Sequence, residues 1–229
     1  MSAELDILLL SAKVAFAAMG FSLVPAFAVA LLLARKDFRG KALLQALVTL
    51  PLVLPPVVTG YGLLLLFGSQ GPLGRLLENL LGLSFAFRWS GAALAAGVMA
   101  FPLLVRPIRL SLEAVDHGLE EAAGTLGASR LVAFVTVTLP LALPGLIAGV
   151  VLGFAKALGE FGATITFVSN IPGETQTLSL AIYALLQSPE GDAAALKLIT
   201  FSVLLALAAV LLSEWVARRL QRKENHGSA

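Results

Sequence analysis

With 229 residues, 58% of them apolar and only 13% charged, the chain is too apolar for a soluble domain of its size. It has no cysteine, which excludes disulfides and thiolate metal sites. The net charge of +2 suggests no nucleic-acid partner, and the two histidines, His117 and His226, lie far apart in polar segments and build no metal site.

The first expected span covers 7–34, and 14–34 carries no charge; about 20 such residues suffice to cross a bilayer. Acidic Glu4 and Asp6 lead it, and no small-residue cleavage site precedes the basic cluster after it, so it reads as a span and not a signal peptide. Arg35, Lys36, Arg39 and Lys41 then form a short cationic loop around Gly40. The second span, 43–67, contains Pro51, Pro55 and Pro56, which predict a helix that kinks or opens near its middle. Residues 68–88 read as a Gly-containing loop with an amphipathic patch at 76–81. A third span starts near Trp89 and passes Pro102 and Pro107.

A polar interval follows, and its pattern predicts a short helix outside the membrane. Leu119, Ala122, Ala123 and Leu126 fall at i, i+3, i+4 and i+7 and make one apolar stripe, with Glu120, Glu121 and Thr125 pointing elsewhere. Asp116 is placed to cap its start, and Gly127 to end it in the left-handed conformation. A stripe of small apolar residues with no lipid to face is expected to dock into another protein. The alternative is an amphipathic interfacial helix without a special partner.

The fourth span, 131–158, repeats Gly145, Gly149 and Gly153 every four residues, a small-xxx-small face expected to pack within the subunit or its dimer. Residues 159–194 are less regular, and the apolar piece 178–186 is short for a span, so it reads as re-entrant or interfacial. The last span is 193–217, with Lys197 and Glu214 able to snorkel at its ends, before a basic tail. Of the sixteen Lys and Arg, four fall in 35–41, three in 106–130 and four from Arg218 onward. Five alternating spans put all three groups on one side, the cytoplasm by the positive-inside rule, with the N-terminus outside.

The chain shows no P-loop for ATP, no Gly-x-Ser-x-Gly elbow and no His-Glu-x-x-His helix, and no cofactor is expected. A proton- or sodium-coupled transporter usually shows ionisable groups near mid-span, and the candidates here are Lys156 and Glu160, one turn apart near the outer end of the fourth span. They read first as a local ion pair and second as a substrate contact. Any energy-driven process in which this chain takes part must therefore draw its energy from a partner.

The order Glu121-Ala122-Ala123, Gly127, Val137, Leu139-Pro140 resembles the cytoplasmic signature loop of ABC importer permeases, with Val137 where that family more often has Ile. The run 50–61 around Pro55-Pro56, the run 158–167 around Gly159-Glu160-Phe161-Gly162, and Ser169-Asn170-Ile171-Pro172-Gly173 look like the molybdate-transporter permeases, and the resemblance runs essentially end to end. It implies an all-α integral membrane protein of the ABC importer permease (MetI-like) fold. It also implies one transmembrane domain over 1–229 and a coupling loop at about 113–130, in which Leu119, Glu121, Ala122, Ala123, Leu126 and Gly127 meet an ATPase. The implied partners are a second copy of the chain, two ATPase subunits and an external oxyanion-binding protein, and the implied cargo is molybdate, with tungstate, sulfate or thiosulfate as alternatives. A different class, an ATP-independent secondary transporter or channel, leaves the Glu-Ala-Ala loop unexplained.

A tetrahedral dianion crossing a low-dielectric path needs hydrogen-bond donors without a tight fixed charge. Thr59 in the Pro-broken span, and Thr164, Thr166, Ser169 and Asn170, are the candidates to supply them. Their alternative role is to satisfy broken backbone or cap turns.

Overall fold

The computed structural model describes residues 3–227, with side chains described from Glu4 to Ala208 and at Val210, Leu211 and Trp215 beyond. The tail residues from Arg218, and Glu214, therefore lie outside the described side chains. The described residues are mostly helical, and no strand occurs among them.

Helix α1 (Ala3–Arg35) starts with Glu4 and Asp6 and ends on Arg35, charges that suit the two ends of the helix dipole. Pro55-Pro56 then does more than kink the second apolar stretch. Leu54 is extended, as a residue before proline prefers, and the stretch divides into α2 (Lys41–Val53) and α3 (Pro56–Phe67), bent by 113°. The expected span 43–67 thus opens near its middle, as its prolines predict, into a broken pair. The amphipathic patch becomes α4 (Pro72–Leu81), which opens on a proline and closes on Gly82 in the left-handed region.

Helix α5 (Trp89–Glu113) is the hub. Two-thirds of its apolar window is buried, against a third for α1 and less still for the fourth span, so α5 lies inside the bundle while its neighbours face outward. Its inner faces are small, with Ala92, Ala93, Ala96 and Ala100 almost fully buried, and α1 packs on one side. On the other side lies α8 (Leu139–Leu158), whose glycine face approaches α5 closely. A Cβ on Gly149 would stand 3.0 Å from the Leu104 carbonyl, and one on Gly153 3.2 Å from Leu104 Cδ2. The small-xxx-small face packs within the subunit.

Between α5 and α8 run the short helix α6 (His117–Thr125), one turn of α7 (Arg130–Ala133) and a π-helical turn, Phe134–Thr138. After α8 come α9 (Gly162–Val168) and α10 (Leu178–Leu186), then the long α11 (Asp192–Gly227). Helix α10 is nine residues long and crosses nothing; it tucks between α1 and α11. Ser11 of α1, two turns in from that helix's start, accepts the Leu178 backbone N–H at 2.7 Å and so caps α10 from across the bundle.

Among the described residues, three helical stretches are long and apolar enough to cross a membrane: Glu4–Arg35, Trp89–Glu113 and Arg130–Leu158. The α2–α3 pair makes a fourth if its halves are counted together. The expected fifth, 193–217, runs along α11 into residues whose side chains are not described. Ion pairs mark the two ends of the bundle. Lys197 of α11 lies 3.7 Å from Glu4 at the start of α1, while Arg35 at the end of α1 meets Glu120 of α6. Helix α11 therefore starts where α1 starts, at the end opposite α6.

Candidate functional site

Helix α6 carries its own start and stop signals. The Asp116 carboxylate accepts the Gly118 N–H at 2.8 Å, satisfying one orphan donor of the first turn. At the other end Gly127 sits at φ +90°, the Ala128 N–H reaches the Ala123 carbonyl at 3.0 Å, and the Gly127 N–H reaches the Gly124 carbonyl. That double closure is a Schellman motif, which needs a left-handed residue at the position Gly127 holds.

The helix is only lightly seated. None of its residues is buried. Leu119 and Ala122 are exposed and Ala123 is half-buried; Leu126 falls at the C-cap, just past the helix, and is 90% exposed. The stripe thus extends one residue beyond the helix, and both of its leucines face the outside. Glu121 is also exposed.

Glu120, by contrast, faces the bundle, an inward role the sequence pattern left without a partner. Arg35 Nη2 donates to Glu120 Oε1 at 2.6 Å and Nη1 to Oε2 at 3.2 Å, a two-pronged pair across 85 positions of sequence. Thr138, fully buried at the end of the π turn, donates its hydroxyl to the same Oε1. Arg35 Nη1 also lies 2.7 Å from His117 Nδ1, to which it donates.

At the other end of the bundle, Lys156 Nζ lies 2.6 Å from Glu160 Oε2. Glu160 is 2% exposed, and its second oxygen accepts the Ala163 N–H at 3.0 Å. The carboxylate therefore ties the end of α8 to the first turn of α9, where an acid suits the helix dipole. Nearby, α3 lies against α9 so closely that a Cβ on Gly60 would stand 2.5 Å from the Ala163 carbonyl and 2.9 Å from Thr166 Cβ. The break in the second apolar stretch is thereby brought against the 164–170 segment.

The five threonine, serine and asparagine candidates sort into different environments. Thr164 is 1% exposed, on the core side of α9 with Phe167 and Val168. Thr166 returns its proton to the Gly162 carbonyl at 2.8 Å. Ser169 is exposed at φ +63°, and its carbonyl accepts the Thr175 hydroxyl at 3.0 Å. Asn170 Nδ2 donates to the Leu180 carbonyl at 3.4 Å. Thr59 Oγ1 and Asn170 Oδ1 are buried atoms without a hydrogen-bond partner among the described residues, as is Thr177 Oγ1. Sequence reasoning also missed Lys13, whose ammonium stands 3.6 Å from the Trp89 ring centroid and ties α1 to the start of α5.

Among the described residues the chain is an all-helical bundle in which the exposed short α6 lies between two long apolar helices. Residues 26–222 match the family described as binding-protein-dependent transport system inner membrane component. The chain belongs to that family. As such it is a multi-pass inner-membrane permease, a transport subunit and not an enzyme. It is 54% identical to the molybdenum transport system permease protein ModB of Haemophilus influenzae, over 98% of each chain. It is 56% identical to ModB of Escherichia coli K12 over 94% of each, and 39% identical to the sulfate transport system permease protein CysT of Salmonella typhimurium over 90% of this chain and 75% of that one. Among solved structures, a bacterial ABC transporter that imports the acidic polysaccharide alginate shares the fold, with a TM-score of 0.73 over 96% of this chain and 80% of that one at 17% identity. So does the MetNI methionine ABC transporter in inward-facing form, with a TM-score of 0.65 over 95% of this chain and 94% of that one at 15% identity.

Proposed function

We propose that this permease carries molybdate into the cell as part of an ATP-driven importer, its 229 residues acting as one transmembrane unit. The observation that carries the reading is the near full-length identity of more than half to two bacterial molybdenum permeases. The working unit is two copies of this chain, two ATPase subunits and an external oxyanion-binding protein. Its N-terminus lies outside and its tail in the cytoplasm, so that α6 and Arg35 face the ATPase. The match to a sulfate permease favours a second reading, transport of another tetrahedral oxyanion such as sulfate, thiosulfate or tungstate.

In this reading transport works by alternating access. ATP binding draws the ATPases together, and α6 passes the movement to the spans through the loop 113–130. Leu119, Ala122, Ala123 and Leu126 form the contact, Glu121 hydrogen-bonds across it, and Gly127 sets the exit of the chain toward α8. What supports this is the exposure of the stripe on a helix with capped ends. The substrate path passes Thr59, Thr164, Thr166, Ser169 and Asn170. The unpaired oxygens of Thr59 and Asn170 favour these two as groups left open for a passing ligand. Lys156 and Glu160 serve as a local pair and not as an anion contact, a reading favoured by their short separation.

Uptake of labelled molybdate into proteoliposomes holding the full complex tests the assignment. Molybdate uptake that needs ATP and the binding protein, and that excess sulfate leaves unchanged, is the expected result. Uptake that sulfate competes away at equal concentration favours the second reading, and uptake by the permease alone removes the ATP-driven reading.

A further inference from the structure

Helix α6 has a bare outer face, no buried residue and a short connection at each end, so its hold on the bundle rests on few groups. One of them binds three elements at once. The Glu120 carboxylate takes both prongs of Arg35, the last residue of α1, and also the hydroxyl of Thr138, the last residue of the π turn that leads into α8.

Each partner is suited to staying in place. The Arg35 and Glu120 side chains are 16% and 27% exposed, sheltered enough for a two-pronged charged hydrogen bond to outlast a surface ion pair. Thr138 is fully buried. The other titratable groups facing the pair are His117, which accepts from Arg35, and Lys36 and Arg130, which line the same cavity of about 860 Å³. Against three cations and a histidine, Glu120 is the sole acid lining that cavity, so removing its charge leaves Arg35 without a carboxylate partner among the described residues. The π turn Phe134–Thr138 closes i→i+5 hydrogen bonds, a form that is rare inside α-helices and recurs at functional sites.

We propose that Glu120, held by Arg35 and Thr138, is a positioning residue that makes the end of α1, α6 and the entry to α8 move as one piece, so that displacement of α6 reaches two spans together. Without it, α6 keeps the His117–Arg35 hydrogen bond and the two connections, 114–116 and 126–129, but loses the carboxylate that joins α1 to the π turn. The proposal rests on α6 being the contact for the ATPase. It assigns Glu120 the inward task and leaves its exposed neighbour Glu121 to the partner.

The test uses the full complex in proteoliposomes, with Arg35→Gln, Glu120→Gln, Thr138→Val and the charge exchange Arg35→Glu with Glu120→Arg. Two quantities are read: ATPase co-purified per permease, and molybdate moved per ATP hydrolysed. The expected result is near-normal ATPase association with a several-fold fall in molybdate per ATP for Arg35→Gln and Glu120→Gln, a smaller fall for Thr138→Val, and partial recovery in the charge exchange. An unchanged ratio in the first two variants overturns the proposal. So does loss of assembled complex with a normal ratio in what remains, since the pair is then only a folding staple. Failure of the docking reading has a different signature: Ala123→Trp, which leaves the Glu120 cluster untouched, keeps full ATPase association.

Discussion

The two ends of this bundle both tie helices together through a paired carboxylate, and they differ in what they leave uncovered. At the end where α1 and α11 begin, the structure closes on itself. Glu160 is spent on Lys156 and on the α9 backbone, Ser11 caps α10, and both short helices bury their apolar faces. At the other end, α6 is closed below, where Glu120 holds Arg35 and Thr138, and bare above, where Leu119, Glu121, Ala122 and Leu126 remain exposed. The stripe gains no burial energy against solvent, which favours the proposal that this surface meets a partner.

That contrast breaks most readily at Gly127. A valine there must adopt φ near +90°, a left-handed backbone that costs about 1–2 kcal/mol and more for a β-branched side chain. It also misdirects the chain into α8. The expected outcome is an inserted permease without transport, measured as uptake per assembled complex; normal uptake would mean that the loop geometry at this end is not critical.

The opposite end is probed next by Gly60→Ala. The new Cβ, 2.5 Å from the Ala163 carbonyl, overpacks the α3–α9 contact at about 1–3 kcal/mol. It should lower the amount of folded permease, read by detergent thermal stability, with ATPase association per folded permease unchanged. Lys156→Ala follows. Breaking a fully buried pair costs about 3–5 kcal/mol, and less here because the Lys156 side chain is 30% exposed. Rescue by adding Glu160→Gln marks a local pair; failure to rescue, with uptake lost and folding intact, marks an anion contact.

These predictions rest on features the sequence reveals unequally. Asp116 and Gly127 are readable because caps depend on two or three neighbouring residues. The apolar stripe and the glycine face are readable from spacing alone. The Pro55-Pro56 pair predicts a break but not its 113° angle, which depends on how α3 packs against α9. Arg35 and Glu120 lie 85 positions apart, and Ser11 and Leu178 lie 167 apart. No local rule pairs them, since such contacts exist only once the helices are assembled. The path candidates look alike in sequence, whereas burial separates Thr164 in the core from Ser169 at the surface.

A smaller effect is expected from Thr164→Val with Thr166→Val, which preserves shape and removes two hydroxyls. If these line the path, uptake slows while assembly and basal ATP hydrolysis stay near normal; a fall in assembled complex instead makes them structural. The smallest belongs to Asp37 in the loop after α1. The hydrogen bond from Lys41, and then its charge, hold the Asp37 carboxyl below the usual carboxylate range. A lowered value means the stabilisation is present at neutral pH and lost only as pH falls through the acid range. Asp37 is fully exposed, so Asp37→Asn should leave uptake at neutral pH unchanged.

The most direct test of the central claim, that α6 is where an ATPase engages this permease, is co-purification of the ATPase with Ala123→Trp. Ala123 is half-buried at the edge of the stripe, and an indole there overfills any close-fitting groove. The account predicts that the variant inserts and dimerises but loses the ATPase and, with it, ATP-dependent molybdate uptake; full ATPase binding with full uptake would contradict it.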